Sequence, residues 1–245
     1  MYRVLWPIIA VAIAGEARAA DMPASPENGA QHISIFSGTD LTSIGSYTGY
    51  AGATLAPFGS LEASGFRLGL FGAAGTYRYN ITDGGPVRVK GTFVTGDILA
   101  GYGYERDDFS AKVYVGLNVQ QQSLSPSDPT NSVQGTRAGF KVQGDFYANP
   151  TKETMIFGVA SYSTAFNTYY ATLKTGYDVS DGKEIFVGPE VIFQGNVRYD
   201  QWRVGAHITG IKLHEKVELD ISGGYLHSSD VGHGAYGKIN ISFDF

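Results

Sequence analysis

Strict alternation at period two limits this chain more than any other feature. In Ala235–Phe245 the odd positions Ala235, Gly237, Ile239, Ile241, Phe243 and Phe245 are apolar or small. The even positions Tyr236, Lys238, Asn240, Ser242 and Asp244 are polar. Successive side chains of a strand point to opposite faces, so this segment reads as a strand with one apolar and one polar face. A helix would scatter the five polar residues around its circumference. Val217, Leu219, Ile221, Gly223 and Tyr225 repeat the pattern against Glu218, Asp220, Ser222 and Gly224. Trp202, Val204, Ala206 and Ile208 repeat it against Arg203, Gly205, His207 and Thr209. Val113, Val115, Leu117 and Val119 do so against Lys112, Tyr114, Gly116, Asn118 and Gln120.

Extending this period along the chain gives twelve strands, with ten or fourteen as the neighbouring solutions. They span about 31–41, 46–56, 64–79, 88–104, 108–121, 133–148, 153–165, 168–178, 183–195, 200–212, 216–227 and 234–245. Most reach 10 residues or more, the length of a tilted membrane-crossing strand and well above the soluble mode of about 5–6. No helical segment interrupts them, which excludes parallel βαβ units. Glu105–Asp108, Asn149–Lys152, Ser180–Lys183 and His214–Lys216 are turn-like and would all lie at one end of an up-and-down meander. The longer Gln122–Ser132 connection would lie at the other, the asymmetry of outer-membrane barrels. Two connections break that rule, a long one at Pro57–Ala63 and a short one between the seventh and eighth strands.

Composition narrows the class further. The 245 residues include 33 Gly, 16 Tyr and 14 Phe, charged residues make up only 17%, and there is no Cys. Disulfides, thiolate metal sites and Cys nucleophiles are thereby excluded. The formal charge of -5 argues against a nucleic-acid partner.

Two arrangements satisfy the alternation. A soluble sandwich or lipocalin-like barrel turns its apolar face inward, whereas a membrane barrel turns it to lipid and lines its lumen with the polar face. The second is favoured by the charges of both signs on the polar face. These candidate lumen-lining residues are Arg67, Asp97, Lys112, Arg137, Lys141, Lys174, Glu190, Arg203, His207, Glu218, Lys238 and Asp244. Tyr47, Tyr50, Tyr77, Tyr79, Tyr102, Tyr104, Tyr169, Tyr170, Tyr199, Trp202 and Tyr225 fall near strand ends, where aromatic girdles lie. Phe245, closing an amphipathic last strand, resembles the signal read by the barrel-assembly machinery. Within the lumen, Gly69, Gly116, Gly139 and Gly205 would open space while Phe71, Tyr114, Tyr162 and Phe186 fill it. A narrow, polar, partly obstructed interior is expected.

The first 19 residues read as a cleaved signal peptide: Arg3 is the basic region, Val4–Ala14 the apolar stretch, and Ala17-Arg-Ala19 the cleavage site. Residues 20–30 form a short linker, and 31–245 a single all-β, antiparallel, up-and-down transmembrane barrel of outer-membrane type. Its surroundings would be outer-membrane lipid and lipopolysaccharide.

Little in the chain suggests catalysis. P-loop, GxSxG and HExxH motifs are absent, the histidines lack metal-ligand spacing, and no cofactor is expected. One cluster, His227, Ser229 and Asp230 at the outer end of the eleventh strand, has the residue types of a rim-serine lipid hydrolase, with His227 activating Ser229. The same composition makes an ordinary polar turn.

Several segments carry a family resemblance. They are Gly49-Tyr-Ala-Gly52, Ser125-Pro-Ser-Asp-Pro129 leading into Gly135-Thr-Arg-Ala-Gly139, Tyr147-Ala-Asn-Pro-Thr151, Val187-Gly-Pro-Glu190, Arg203-Val-Gly-Ala-His207 and Gly223–Gly237. In this order and spacing the chain resembles the bacterial cellulose biosynthesis protein BcsS family. The resemblance implies a non-enzymatic outer-membrane role in cellulose export or assembly. It also implies the glucan chain and other cellulose-secretion proteins as partners. A narrow general or oligosaccharide porin and the rim-serine hydrolase are the alternative functions.

Overall fold

The computed structural model describes residues 31–81, 87–180 and 182–245; the expected signal peptide and linker lie outside the described residues. Twelve antiparallel strands close into a barrel in which each pairs with its sequence neighbours and β1 pairs with β12. They are β1 (Ile33–Thr42), β2 (Tyr47–Leu55), β3 (Gly65–Ile81), β4 (Val87–Arg106), β5 (Phe109–Ser125) and β6 (Gly135–Thr151). There follow β7 (Thr154–Ser163), β8 (Thr168–Asp178), β9 (Phe186–Gly195), β10 (Asp200–His214), β11 (Val217–Ser228) and β12 (Gly232–Asp244). The closing seam runs from Ser34↔Asp244 to Thr42↔Tyr236. His32 and Ile33 N–H groups donate to the Phe245 carbonyl at 2.7 and 3.1 Å, and Phe245 N–H donates back to Ile33 at 2.9 Å.

Polarity is inverted relative to a soluble barrel. Ile98, Val113, Val115, Leu117, Phe140 and Ile239 stand on the outside, while Asp97, Asn118, Gln120, Lys141, Lys238 and Asn240 are buried inside. An exterior this apolar is suited to lipid, and the alternation that produces it is that of a transmembrane barrel. Strand length is uneven. Strands β1 and β2 have 10 and 9 residues, whereas β3 to β6 have 17 to 20. Tyr47 at the top of β2 pairs with Thr76, so β3 continues to Ile81 beyond its neighbour. The excess raises one side of the wall at the outer end.

Five of the aromatics expected in girdles point inward. Tyr50, Tyr77, Tyr79, Tyr170 and Tyr199 are buried, while Tyr47, Tyr102, Tyr104, Trp202 and Tyr225 face out. The cause is parity: Tyr77 and Tyr79 sit an even number of residues from the buried Ala73, on the same face of β3. The Tyr77 ring lies over Gly91, where a Cβ would come within 1.9 Å of it. Tyr162, expected to fill the lumen, points away from it. It is exposed on the outer face of β7, between the buried Ser161 and Ser163.

Both irregular connections have a structural reason. The long one, residues 56–64, folds beneath the barrel. There the Arg67 guanidinium donates to the Leu61 carbonyl at 3.1 Å and also to that of Ala63, and Leu61 is itself buried. The short one, residues 164–167, turns through positive φ at Phe166 and Asn167 and tucks Phe166 into the outer mouth, fully buried.

Candidate functional site

The interior is built from side chains that alternation points inward and register brings level. Lys141 of β6 and Asp97 of β4 form an ion pair whose side chains are 0% exposed. Asn118 of β5 donates to Asp97 Oδ1 at 2.5 Å and to Thr95 at 2.8 Å. Its own side-chain oxygen accepts from Gln120 and from Ser163, each at 2.8 Å. Gln120 also donates to Thr168 of β8 at 2.9 Å, so the network reaches from β4 to β8 through the barrel.

A second network faces it. Arg203 of β10 donates to Asp40 of β1 at 2.7 Å and to Gln201 at 2.8 Å, and Gln194 donates to the same Gln201 oxygen at 2.7 Å. The guanidinium carbon lies 5.1 Å from the centre of the Tyr236 ring, whose hydroxyl donates to Glu190 at 2.9 Å. Glu190 in turn pairs with Lys174 at 3.6 Å. His207 contacts the Thr175 carbonyl through Nε2 at 3.1 Å and Thr209 Oγ1 through Nδ1 at 2.8 Å. A carbonyl can only accept, so Nε2 carries a proton and donates to Thr175. Removing a charge from water without a partner is expensive; partnering on this scale keeps the interior tolerable.

Toward the base, Glu105 lies 3.8 Å from both Arg67 and Lys112, and Lys112 lies 3.8 Å from Asp145. At the outer mouth Phe166, Val133, Tyr77, Tyr79, Val89, Tyr199 and Leu226 belong to one buried apolar cluster. The connection over them is pinned from two sides: Tyr79 donates to Asp128 at 3.0 Å, and Arg198 Nε donates to Ser132 at 2.8 Å.

The twelve candidate lumen residues are thus distributed as follows. Arg67, Asp97, Lys141, Lys174, Glu190, Arg203, His207, Lys238 and Asp244 are buried. Lys112 and Glu218 are half-buried, and Arg137 is exposed at the mouth, its guanidinium 4.9 Å from the Phe166 ring centre. Sequence reasoning missed Asp40, Gln194 and Gln201, whose importance depends on which strands face one another across the barrel. It also missed Phe166, hidden in a four-residue turn.

The hydrolase cluster is not assembled. Ser229 donates to Asp230 at 2.9 Å and accepts from the Asp200 N–H at 3.2 Å. His227 points to the outer face, where its Nδ1 lies 3.3 Å from His233 Nδ1. Among the described residues no hydrogen bond joins His227 to Ser229. Burial pushes the Asp230 carboxyl up to about 7, with a further push from Asp200 and a partial offset from the Ser229 hydroxyl.

A family model described as cellulose biosynthesis protein BcsS matches residues 34–245. No curated protein matches the chain. Among solved structures, LpxR from Salmonella typhimurium is 13% identical, with 86% of this chain and 100% of that chain covered at a TM-score of 0.48. The KdgM porin is 12% identical over 86% and 99%, with a TM-score of 0.44. The transport unit of the autotransporter AIDA-I from Escherichia coli is 10% identical over 91% and 93%, with a TM-score of 0.48.

Proposed function

Because the chain belongs to the cellulose biosynthesis protein BcsS family, we propose that it serves cellulose biosynthesis as a closed outer-membrane barrel. In this reading it is a non-enzymatic assembly component and not the conduit for the glucan. The observation that carries the proposal is the filled interior. Side chains of Asp97, Lys141, Glu190 and Arg203 are shielded almost completely from solvent. A channel wide enough for a polysaccharide would leave its wall wet, and opening one here would strip several buried charges of their partners. The apolar exterior supports residence in the outer membrane, with lipid and lipopolysaccharide around it. Contact with other secretion proteins would then use the outer wall, the loops or the base.

The test pairs two measurements. Deleting the gene should lower cellulose output or disturb its architecture, scored with a glucan-binding dye. The purified barrel in planar bilayers should show no large, stable conductance. Unchanged cellulose in the deletion would remove the role. Large steady currents would remove the closed-barrel form of it and favour the porin reading.

A further inference from the structure

Above the lipid-facing band, the exterior of the tall side of the wall changes from apolar to cationic. On β4 the outward positions Val94, Ile98, Tyr102 and Tyr104 are exposed and apolar or aromatic. Val94 to Tyr104 is the length of a membrane-crossing strand, about 9–11 residues. Thr92, Lys90 and Arg88 continue the same face past its upper edge. On β3 the face passes from Leu70, Gly72 and Ala74 to Thr76, Arg78 and Asn80. Tyr47, outward and paired with Thr76, stands at the girdle level where the change occurs. Register then sets Arg78 directly opposite Lys90 and Asn80 opposite Arg88, which makes Arg88 the diagonal neighbour of Arg78. All three cations are exposed, and among the described residues none of them forms an ion pair. Arg78 Cδ and Arg88 Nη2 come within 3.6 and 3.9 Å of where a Cβ on Gly45 would stand, so both side chains lean over the same turn. The chain as a whole is acidic, with a formal charge of -5, so the cluster runs against its own background. Like charges directly opposite each other destabilise a sheet, and an anion between them reverses the effect.

We propose that Arg78, Arg88 and Lys90 hold a phosphate group of a lipopolysaccharide molecule in the outer leaflet. Their place at the cell surface rests on the outer-membrane reading above, because this end of the barrel is the one remote from the termini. Guanidinium groups bind phosphate oxygens bidentately through charge-assisted hydrogen bonds, and an ammonium adds a point charge beside them. Directly opposed Cβ atoms lie about 4.5–5.5 Å apart and diagonal ones about 7–8 Å, so one phosphate can be shared by all three side chains. The wall below supplies the other half of a site for an amphiphile. Ala51, Gly72 and Gly96 sit level on β2, β3 and β4 and floor a groove of about 610 Å³, bordered by Leu70, Ile98 and Leu117. It lies about 20 Å along the strands from Arg78 and Lys90, within reach of an acyl chain hanging from a glycolipid head. A free anion would use the cations and leave the groove empty, and a neutral lipid would do the reverse. A phosphorylated lipid matches both.

The experiment titrates bisphosphorylated lipid A into the folded, detergent-solubilised barrel and counts bound lipid by native mass spectrometry. One lipid per chain is expected. The triple variant Arg78→Gln, Arg88→Gln, Lys90→Gln should bind at least tenfold more weakly. Lys152→Gln, Lys183→Gln, Lys216→Gln removes the same charge from exposed positions at the opposite end and should bind as the wild type does. Lipid A stripped of its phosphates should also bind at least tenfold more weakly, and equimolar inorganic phosphate should not displace the intact lipid. Altered gel migration before boiling certifies that each variant is folded. Equal binding by the wild type and the outer-end variant, or undiminished binding of the dephosphorylated lipid, would overturn the proposal. Displacement by equimolar inorganic phosphate would overturn it too, marking a site for the free anion. Fractionation of the native protein separates this inference from the reading beneath it. Recovery in the outer membrane without lipid A binding removes the lipid site alone, whereas recovery in another compartment removes both.

Discussion

Lys141 and Asp97 form an ion pair inside the barrel, from strands two apart in the sheet, with neither side chain exposed to solvent. Breaking such a pair from one side strands a charge, whereas replacing both partners by apolar groups does not. Lys141→Met should therefore destabilise the barrel by about 3 kcal/mol, and the double variant Lys141→Met, Asp97→Leu should recover most of that loss. Denaturant unfolding in lipid bilayers, followed by gel mobility, measures both. A double variant as unstable as the single one would show that the hydrogen bond from Asn118, and not the ion pair, is decisive.

Position on the wall reverses the effect of a charge. Ile98 lies one residue from Asp97 yet points outward and is 67% exposed, level with the middle of β2 across the sheet. Ile98→Arg should cost about 2–4 kcal/mol in a bilayer, as cations do at the midplane of a barrel's lipid face. In detergent micelles, which rearrange around a charge, the same variant should lose less.

Asp230 supplies a pH dependence of definite sign. Its folded-state value, raised to about 7 mainly by burial, exceeds the 3.8 of an ordinary aspartate. The folded state then holds a proton that the unfolded state has released. Stability must fall as pH rises from about 4 to about 7 and level off above that. Asp230→Asn should flatten this part of the profile, measured as the denaturation midpoint against pH.

Ser229→Ala should leave lipid deacylation by purified barrel in lipopolysaccharide micelles at background, identical to the wild type. Its hydroxyl is engaged by Asp230 and by the Asp200 amide, and among the described residues no hydrogen bond joins it to an imidazole. Wild-type activity that the substitution abolishes would restore the hydrolase.

Period two carried most of the fold. Every polar position of the last strand, Tyr236 to Asp244, is buried, as alternation with an inverted face requires. The same parity governs Tyr77 and Tyr79: their place near the end of β3 is that of a girdle, but their face is the inner one. What lay beyond reach were relations across the lumen. The Asp40–Arg203 contact joins residues 163 apart in sequence, and nothing local to β1 marks Asp40 as a partner. His233 was equally hidden. Its meeting with His227 depends on a three-residue turn and a register that one inserted residue would shift to the opposite face.

The β1–β12 seam makes completion of the chain a condition of its own solubility in lipid. Until Ser34 meets Asp244 the sheet has two raw edges, and in hydrocarbon their free N–H and C=O groups have nowhere else to turn. The two partners are separated by nearly the whole described chain, so this contact has the longest loop to close and belongs at the end of assembly. A product interrupted before β12 would retain all the inward chemistry of Arg203 and Lys141 and still be a ribbon rather than a cylinder. Pairing of β1 with β12 is therefore the step that turns a sheet with two open edges into a wall with none.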